Sequence, residues 1–144
     1  MTYETATIKG TLFSDGTFSF PIRIYYEDTD AGGIVYYANY LKFAERARTE
    51  YLRHLGIDQI KMLNDEGTGF AVRDCHINYK LPAKLDDALN ITCRIAEIKG
   101  ASVKMEQKLY RGDTLLAEIE ITLVFLKLST MRPTKISSEI ISRL

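Results

Sequence analysis

The sequence predicts an α+β domain in which an antiparallel sheet wraps around one long central helix. Three observations carry that expectation. Residues 18–26 alternate with the period of a strand, and residues 37–55 recur with the period of a helix. Most of the chain from residue 70 to 128 consists of apolar runs divided by short turns. At 144 residues the chain can bury one real core, and no linker, repeat or low-complexity segment divides it.

In the first element, Phe18, Phe20, Ile22, Ile24 and Tyr26 fall on one face of a strand. Pro21 lies inside that run and has no N–H for a ladder, so an edge or a strand beginning is expected there. From Tyr37 the period changes. Tyr37, Leu41, Ala44, Arg48, Tyr51 and Leu55 share a helical face, with Tyr40 and Ala47 beside them, while Lys42, Glu45, Arg46 and Glu50 lie mostly opposite. Arg53 and His54 occupy the last turn, and Gly56 follows as the residue that ends the helix. About 18 residues make such a helix roughly 27 Å long. Ala44 and Ala47 are small, so its axis can lie close to whatever it packs on. Asp58 is expected to cap a short second helix that ends by Gly67.

The remaining strands are expected over 70–79, 89–98, 103–110 and 115–128. The turns "KGAS" and "RGDT" make the last three an antiparallel meander. Pro133 marks the end of the sheet, which puts the core at about 17–128 and leaves 129–144 as a peripheral tail of a single domain spanning 1–144. One helix can cover only one face of this sheet. The other face is expected to be solvated or covered by a second subunit. Val, Ile and Leu abound on these strands, which argues that part of that face meets a partner.

Composition excludes several classes. Nineteen basic and nineteen acidic residues cancel, so no nucleic acid partner is expected. The first ten residues lack the apolar stretch of a signal peptide, and no run approaches the roughly 20 apolar residues of a membrane span. A cytoplasmic location is expected. Cys75 and Cys93 sit on separate strands without metal-ligand spacing and are read as reduced, buried thiols.

The stretch "YYEDTDAGGIVYYANYLKFAERAR", starting at Tyr25, concentrates the chemistry. As a calcium loop it fails: Asp28, Asp30 and Gly33 fit positions one, three and six, but Gly32 occupies position five and Asn39 stands where a bidentate Glu is needed. As a structural motif it suits Asp28, a turn or capping carboxylate. As a catalytic loop it suits Asp30. A carboxylate can act on water as a base or attack an activated acyl group directly. Free N–H groups at a helix start can meet the charge that develops on the acyl oxygen. "DAGGIVYY" supplies a carboxylate, a permissive backbone, an apolar wall and a helix start in succession, a pattern that fits acyl chemistry. That reading requires the Asp30 carboxylate beside the helix start, facing a thioester-sized gap.

This stretch, continued through "TEYLRHLGI", resembles the start of the 4-hydroxybenzoyl-CoA thioesterase family of hotdog-fold enzymes, and most closely the branch associated with the Tol-Pal system. A second block, "INYKLPAKLDDALNITCRI", carries Tyr79, Pro82, Ala83, Asp86 and Asp87 in the family's order. The resemblance spans about 21–128. It implies a hotdog fold and dimers with joined sheets, often paired into a homotetramer, with active sites at the subunit interfaces. It implies hydrolysis of an acyl-CoA without a metal or bound cofactor, coenzyme A being part of the substrate. Asp30 matches the catalytic carboxylate of the family's Asp-x-Asp-x-x-Gly loop, and the Tyr37 N–H matches its oxyanion donor. Gly33, Ile34, Val35, Tyr36 and Tyr40 are expected along the substrate. One departure is Tyr37 itself, where many Tol-Pal-associated members carry His and the 4-hydroxybenzoyl enzyme carries Tyr. An imidazole could share in proton transfer, whereas a phenol is neutral near pH 7.

Other polar residues have plainer readings. His54 suits the negative end of the helix dipole, and His76 a hydrogen-bonded core or interface position. Arg46 and Glu50 are spaced for an i,i+4 pair on a solvated face. Asp86 and Asp87 read as turn residues. Lys127, Arg132 and Lys135 could meet coenzyme A phosphates or be ordinary surface. Two rivals to an acyl-CoA thioesterase follow from the same residues: a thioesterase for acyl groups on an acyl carrier protein, and a module that binds acyl ligands or partners without turnover. The acyl group is left open among short aliphatic, branched and aromatic.

Overall fold

The computed structural model describes residues 1–144. Strands β1 (Thr11–Leu12) and β2 (Phe18–Arg23) precede helix α1 (Asn39–His54), and α2 (Gln59–Lys61) follows it. Strands β3 (Thr68–Tyr79), β4 (Ala88–Lys99), β5 (Ser102–Arg111), β6 (Thr114–Lys127) and β7 (Arg132–Pro133) come next, and α3 (Ser138–Arg143) ends the chain. All pairings are antiparallel in the order β1-β2-β4-β5-β6-β3, with β7 on β6. This is the expected sheet around one helix, with the β4-β5-β6 meander at its centre. No helix is long and apolar enough to cross a membrane.

The helix lies close to the sheet because Ala44 and Ala47 are fully buried and add no bulk. The Gln107 amide crosses from β5 to donate to the Ala44 carbonyl at 3.0 Å. That contact fixes which way the sheet faces. Gln107 pairs with Ile119, and Ile119 with Ile77, so these residues and those two positions away look inward. Their neighbours look outward: Glu106 lies opposite Glu120, Glu120 opposite His76, and Arg94 opposite Glu106. The outer face therefore carries charged rows along these strands. Most of the apolar strand side chains point inward; Val124 and Leu126, on the Glu120 side of β6, are buried there. Open apolar surface includes edge strand β3 at Val72 and Tyr79 and the loops at Ile34, Tyr36, Tyr37, Leu81 and Leu85.

Several boundaries differ from expectation for local reasons. Regular β2 stops at Arg23 because Ile24 exchanges backbone bonds with Asp86 and Asp87, and Tyr26–Asp28 then forms a 3₁₀ turn. Pro21 lies beyond the short pairing with β1, where nothing needs its N–H. The helix starts at Asn39, not Tyr37, because the Val35 and Tyr36 N–H groups are committed to the Ala83 and Asp28 carbonyls. Its other end behaves as read: Gly56 takes φ 79° after His54, and Asp58 caps α2 by accepting from Lys61 N–H. The tail is not peripheral, since Ile136 and Ile140 are buried in the core cluster.

On the helix surface, Glu50 pairs with Arg53 and leaves Arg46 over the Phe43 ring, so the expected Arg46–Glu50 pair does not form. Tyr37 and Leu41, assigned to the apolar face, are exposed. Arg48 is buried, donating to Gln107 Oε1 at 2.8 Å and to Glu45. His54 ends the helix against Phe18, whereas His76 is exposed on the outer face and its side chain makes no hydrogen bond.

Candidate active site

The Asp28–Tyr40 segment is built by backbone bonds that converge on its two ends. Asp28 closes the 3₁₀ turn by accepting the Tyr25 N–H at 2.8 Å, the structural role read for it. Its carbonyl accepts both the Tyr36 N–H and the Asn39 side-chain amide, each at 2.9 Å. Thr29 and Val35 then face each other across an antiparallel bridge. Between them the chain reverses: the Asp30 N–H donates to Ile34, and the Gly33 N–H donates back to Asp30. Gly33 sits at φ 80°, where a side chain would be strained, and this is the physical reason for glycine there.

Asp30 lies one residue beyond that bridge. Its Oδ1 accepts the Gly32 N–H at 2.8 Å, which orients the carboxylate, while Oδ2 has no protein donor. The side chain is exposed in the single chain. One chain alone therefore does not supply the closed gap that the sequence reading requires.

At the helix start, the Asn39 and Leu41 N–H groups bond back to the Tyr36 and Ala38 carbonyls, but those of Tyr37 and Ala38 have no protein acceptor. No side chain caps them either. Unpaired N–H groups ahead of a 16-residue helix make a local site for negative charge. Four phenol rings gather beside it. Tyr36 and Tyr37 lie 5.0 Å apart, Tyr79 is edge-on to Tyr40 at 5.2 Å, and Tyr37 stands 6.3 Å from Tyr79.

Of the residues expected along a substrate, Gly33, Ile34 and Tyr36 are exposed beside Asp30, whereas Val35 and Tyr40 are buried. The last two hold the neighbouring loop at residues 80–87: Val35 N–H donates to the Ala83 carbonyl at 2.9 Å, and Ala83 N–H to the Tyr40 hydroxyl at 3.0 Å. Arg111 completes the clamp by donating to Pro82 O and Asp87 Oδ2. Burial pushes the Asp87 carboxyl up, but Arg111 and the Lys84 N–H outweigh it and hold it below its usual range. Asp86 takes φ 72° in the same turn.

A family description, thioesterase-like superfamily, matches residues 25–144. This chain belongs to the thioesterase-like superfamily. The acyl-CoA thioesterase YbgC of Haemophilus influenzae is 44% identical over 126 residues, spanning 88% of this chain and 93% of that protein. The acyl-CoA thioester hydrolase YbgC of Escherichia coli O6:H1 is 42% identical over 126 residues, spanning 87% and 93%. A solved probable thioesterase from Bartonella henselae aligns with a TM-score of 0.79 at 34% identity, covering 83% of this chain and 98% of that one. The resemblance read from the two sequence blocks is borne out in family and fold.

In this superfamily member the remaining candidates are scattered. Lys127 pairs with Thr68 at one end of β3, while Tyr79, beside Tyr37, is at the other. Eleven residues of strand separate those ends by roughly 35 Å, so Lys127, and Arg132 opposite it on β7, are not beside Asp30 of the same chain. Cys93 is buried, and burial pushes its thiol up to about 12, a value for an inert core thiol. Cys75 is exposed, not buried as expected, and both cysteines are free. Sequence reasoning gave no role to Tyr79 or Arg111. Tyr79 lay in the second motif block, but its contact with Tyr37 spans 42 positions, and local spacing carries no sign of it.

Proposed function

We propose that this protein hydrolyses an acyl-CoA thioester to free coenzyme A and a carboxylic acid. Asp30 is the reacting carboxylate, and the helix start is the oxyanion site. One observation carries the reading. A carboxylate with a free oxygen stands on a glycine loop pinned just ahead of a helix, where the Tyr37 and Ala38 N–H groups are unpaired. The thioester carbonyl lies along residues 33–37. Asp30 attacks its carbon and forms a mixed anhydride that water then cleaves, or it takes a proton from the water that attacks. Charge on the carbonyl oxygen is met by the Tyr37 N–H. Coenzyme A leaves as a thiolate, whose modest basicity makes a strong general acid unnecessary.

The open apolar surface at Ile34, Tyr36, Tyr37 and Tyr79 supports a further part of the proposal: a second copy of the chain covers it and closes the site. A dimer is the smallest assembly that does this, and a tetramer repeats it. A cytoplasmic location belongs to the same reading.

The test is thiol release over a panel of acyl-CoA esters, with Asp30→Asn alongside and light scattering to count subunits. Wild type should release coenzyme A, and the variant should lose about a thousand-fold in kcat. Equal rates would remove Asp30 from the chemistry. Binding of acyl-CoA without turnover by either protein would leave a ligand-binding module, and turnover only of acyl groups on a carrier protein would make that the substrate. An active monomer would refute closure by a second copy.

A further inference from the structure

The turn that precedes α1 has a feature that the proposed chemistry does not by itself explain. Its two unpaired N–H groups belong to consecutive peptide planes, and the carbonyl of each plane already accepts a hydrogen bond. The plane that carries the Tyr37 N–H has the Tyr36 carbonyl, which takes the Asn39 N–H at 2.9 Å. The plane that carries the Ala38 N–H has the Tyr37 carbonyl, which takes the Tyr79 hydroxyl at 2.7 Å. The first bond is local and comes with the turn. The second reaches across from β3.

We infer that Tyr79 is a positioning residue for the oxyanion site: its hydroxyl on the Tyr37 carbonyl fixes the peptide plane that carries the Ala38 N–H, a second free donor next to the Tyr37 N–H. The inference rests on the oxyanion role given to this turn. Two physical effects follow from the bond. A carbonyl that accepts a hydrogen bond draws density from its own peptide and makes the N–H on that peptide a better donor. An anchored plane also aims that donor before substrate arrives, so no reorganisation is needed as charge develops. The anchor is held in turn. The Tyr79 ring stands edge-on to Tyr40, at an interplanar angle of 83°, and Tyr40 is buried and tied to Ala83. Burial, then the neighbouring phenols Tyr40 and Tyr37, raise the Tyr79 pKa, so the hydroxyl keeps its proton through the neutral range.

The test is Tyr79→Phe, which keeps the ring and removes the donor. Removing an oxyanion donor outright costs about a hundred- to a thousand-fold in rate, so loosening one should cost about tenfold in kcat. KM, affinity for a non-hydrolysable acyl-CoA thioether, and the thermal midpoint should stay at wild-type values. Asp30→Asn, measured in parallel, separates the two readings. If it abolishes turnover while Tyr79→Phe is fully active, the Tyr79 inference fails and the site reading stands. If Asp30→Asn is itself fully active, the site reading fails and takes the positioning role with it. Loss of analogue affinity in Tyr79→Phe would put the hydroxyl against the substrate, and a rate loss matched by a lower midpoint would make it structural. Either result overturns the inference.

Discussion

Tyr40→Phe tests how the core is tied to the loop that carries Asp30. The substitution deletes one oxygen and leaves the ring packed between Phe43 and Tyr79. What it removes is the acceptor for the Ala83 N–H, in a residue with no exposed surface. A buried donor left without a partner costs about 1–3 kcal/mol. For a chain of this length each kcal/mol lowers the midpoint by about 4 °C, so the expected fall is about 4–12 °C. Calorimetry at matched protein concentration measures it, because any subunit association makes the midpoint depend on concentration. Tyr40→Ala, which also loses the ring, should fall further, since emptying a large buried aromatic site costs about 3–5 kcal/mol. Turnover should fall with Tyr40→Phe as well, because the Ala83 carbonyl holds Val35 at the base of the Asp30 loop. A Tyr40→Phe midpoint within about 1 °C of wild type would refute the claim that this bond anchors the 80–87 loop.

Two further outcomes are expected. Gly33→Ala places a Cβ that meets nothing within 4 Å, so its cost is backbone strain alone, about 1–2 kcal/mol at φ 80°; kcat/KM should drop by about tenfold or more as the Asp30 loop relaxes, with a fall of about 4–8 °C in the midpoint. Asp87→Asn removes the partner of Arg111, at a cost of about 1 kcal/mol or less for a partly exposed pair. The Asp87 carboxyl is held below its ordinary 3.8, so its contribution is fully present above that pH and is lost as pH falls through the lower folded value. Urea unfolding should therefore show a gap between wild type and Asp87→Asn at pH 6 that closes toward pH 3; a gap that widens instead would reverse the sign of the argument.

The inward and outward faces of the strands illustrate what periodicity can and cannot tell. Alternation located β2 and the length of α1, because a strand repeats every two residues and a helix every 3.6. It did not say where the open apolar surface would lie. That depends on which strand ends at the edge, and β3 does so only because β6 has β5 on its other side. Burial of Ile136 and Ile140 was missed for a similar reason: with Leu144 they recur every four residues, but so short a run does not say whether its apolar side meets the core, and only the packed core gives it a place.

The candidate site divides along the same line. Asp28, Asp30, Gly33 and the start of α1 lie within a dozen residues, and capping, turn chemistry and the helix dipole act over such distances, so one stretch of sequence was enough to propose them. Tyr79 reaches that stretch from 42 positions away and the 80–87 loop from 43, through hydrogen bonds to Tyr37 and Tyr40, and Arg111 holds that loop in turn from 24 positions beyond Asp87. Local interactions leave their mark in the order of residues. Contacts made by folding the sheet over the helix leave none, and it was the tertiary structure alone that put a phenol hydroxyl on the Tyr37 carbonyl and left Asp30 open to a surface that one chain does not cover.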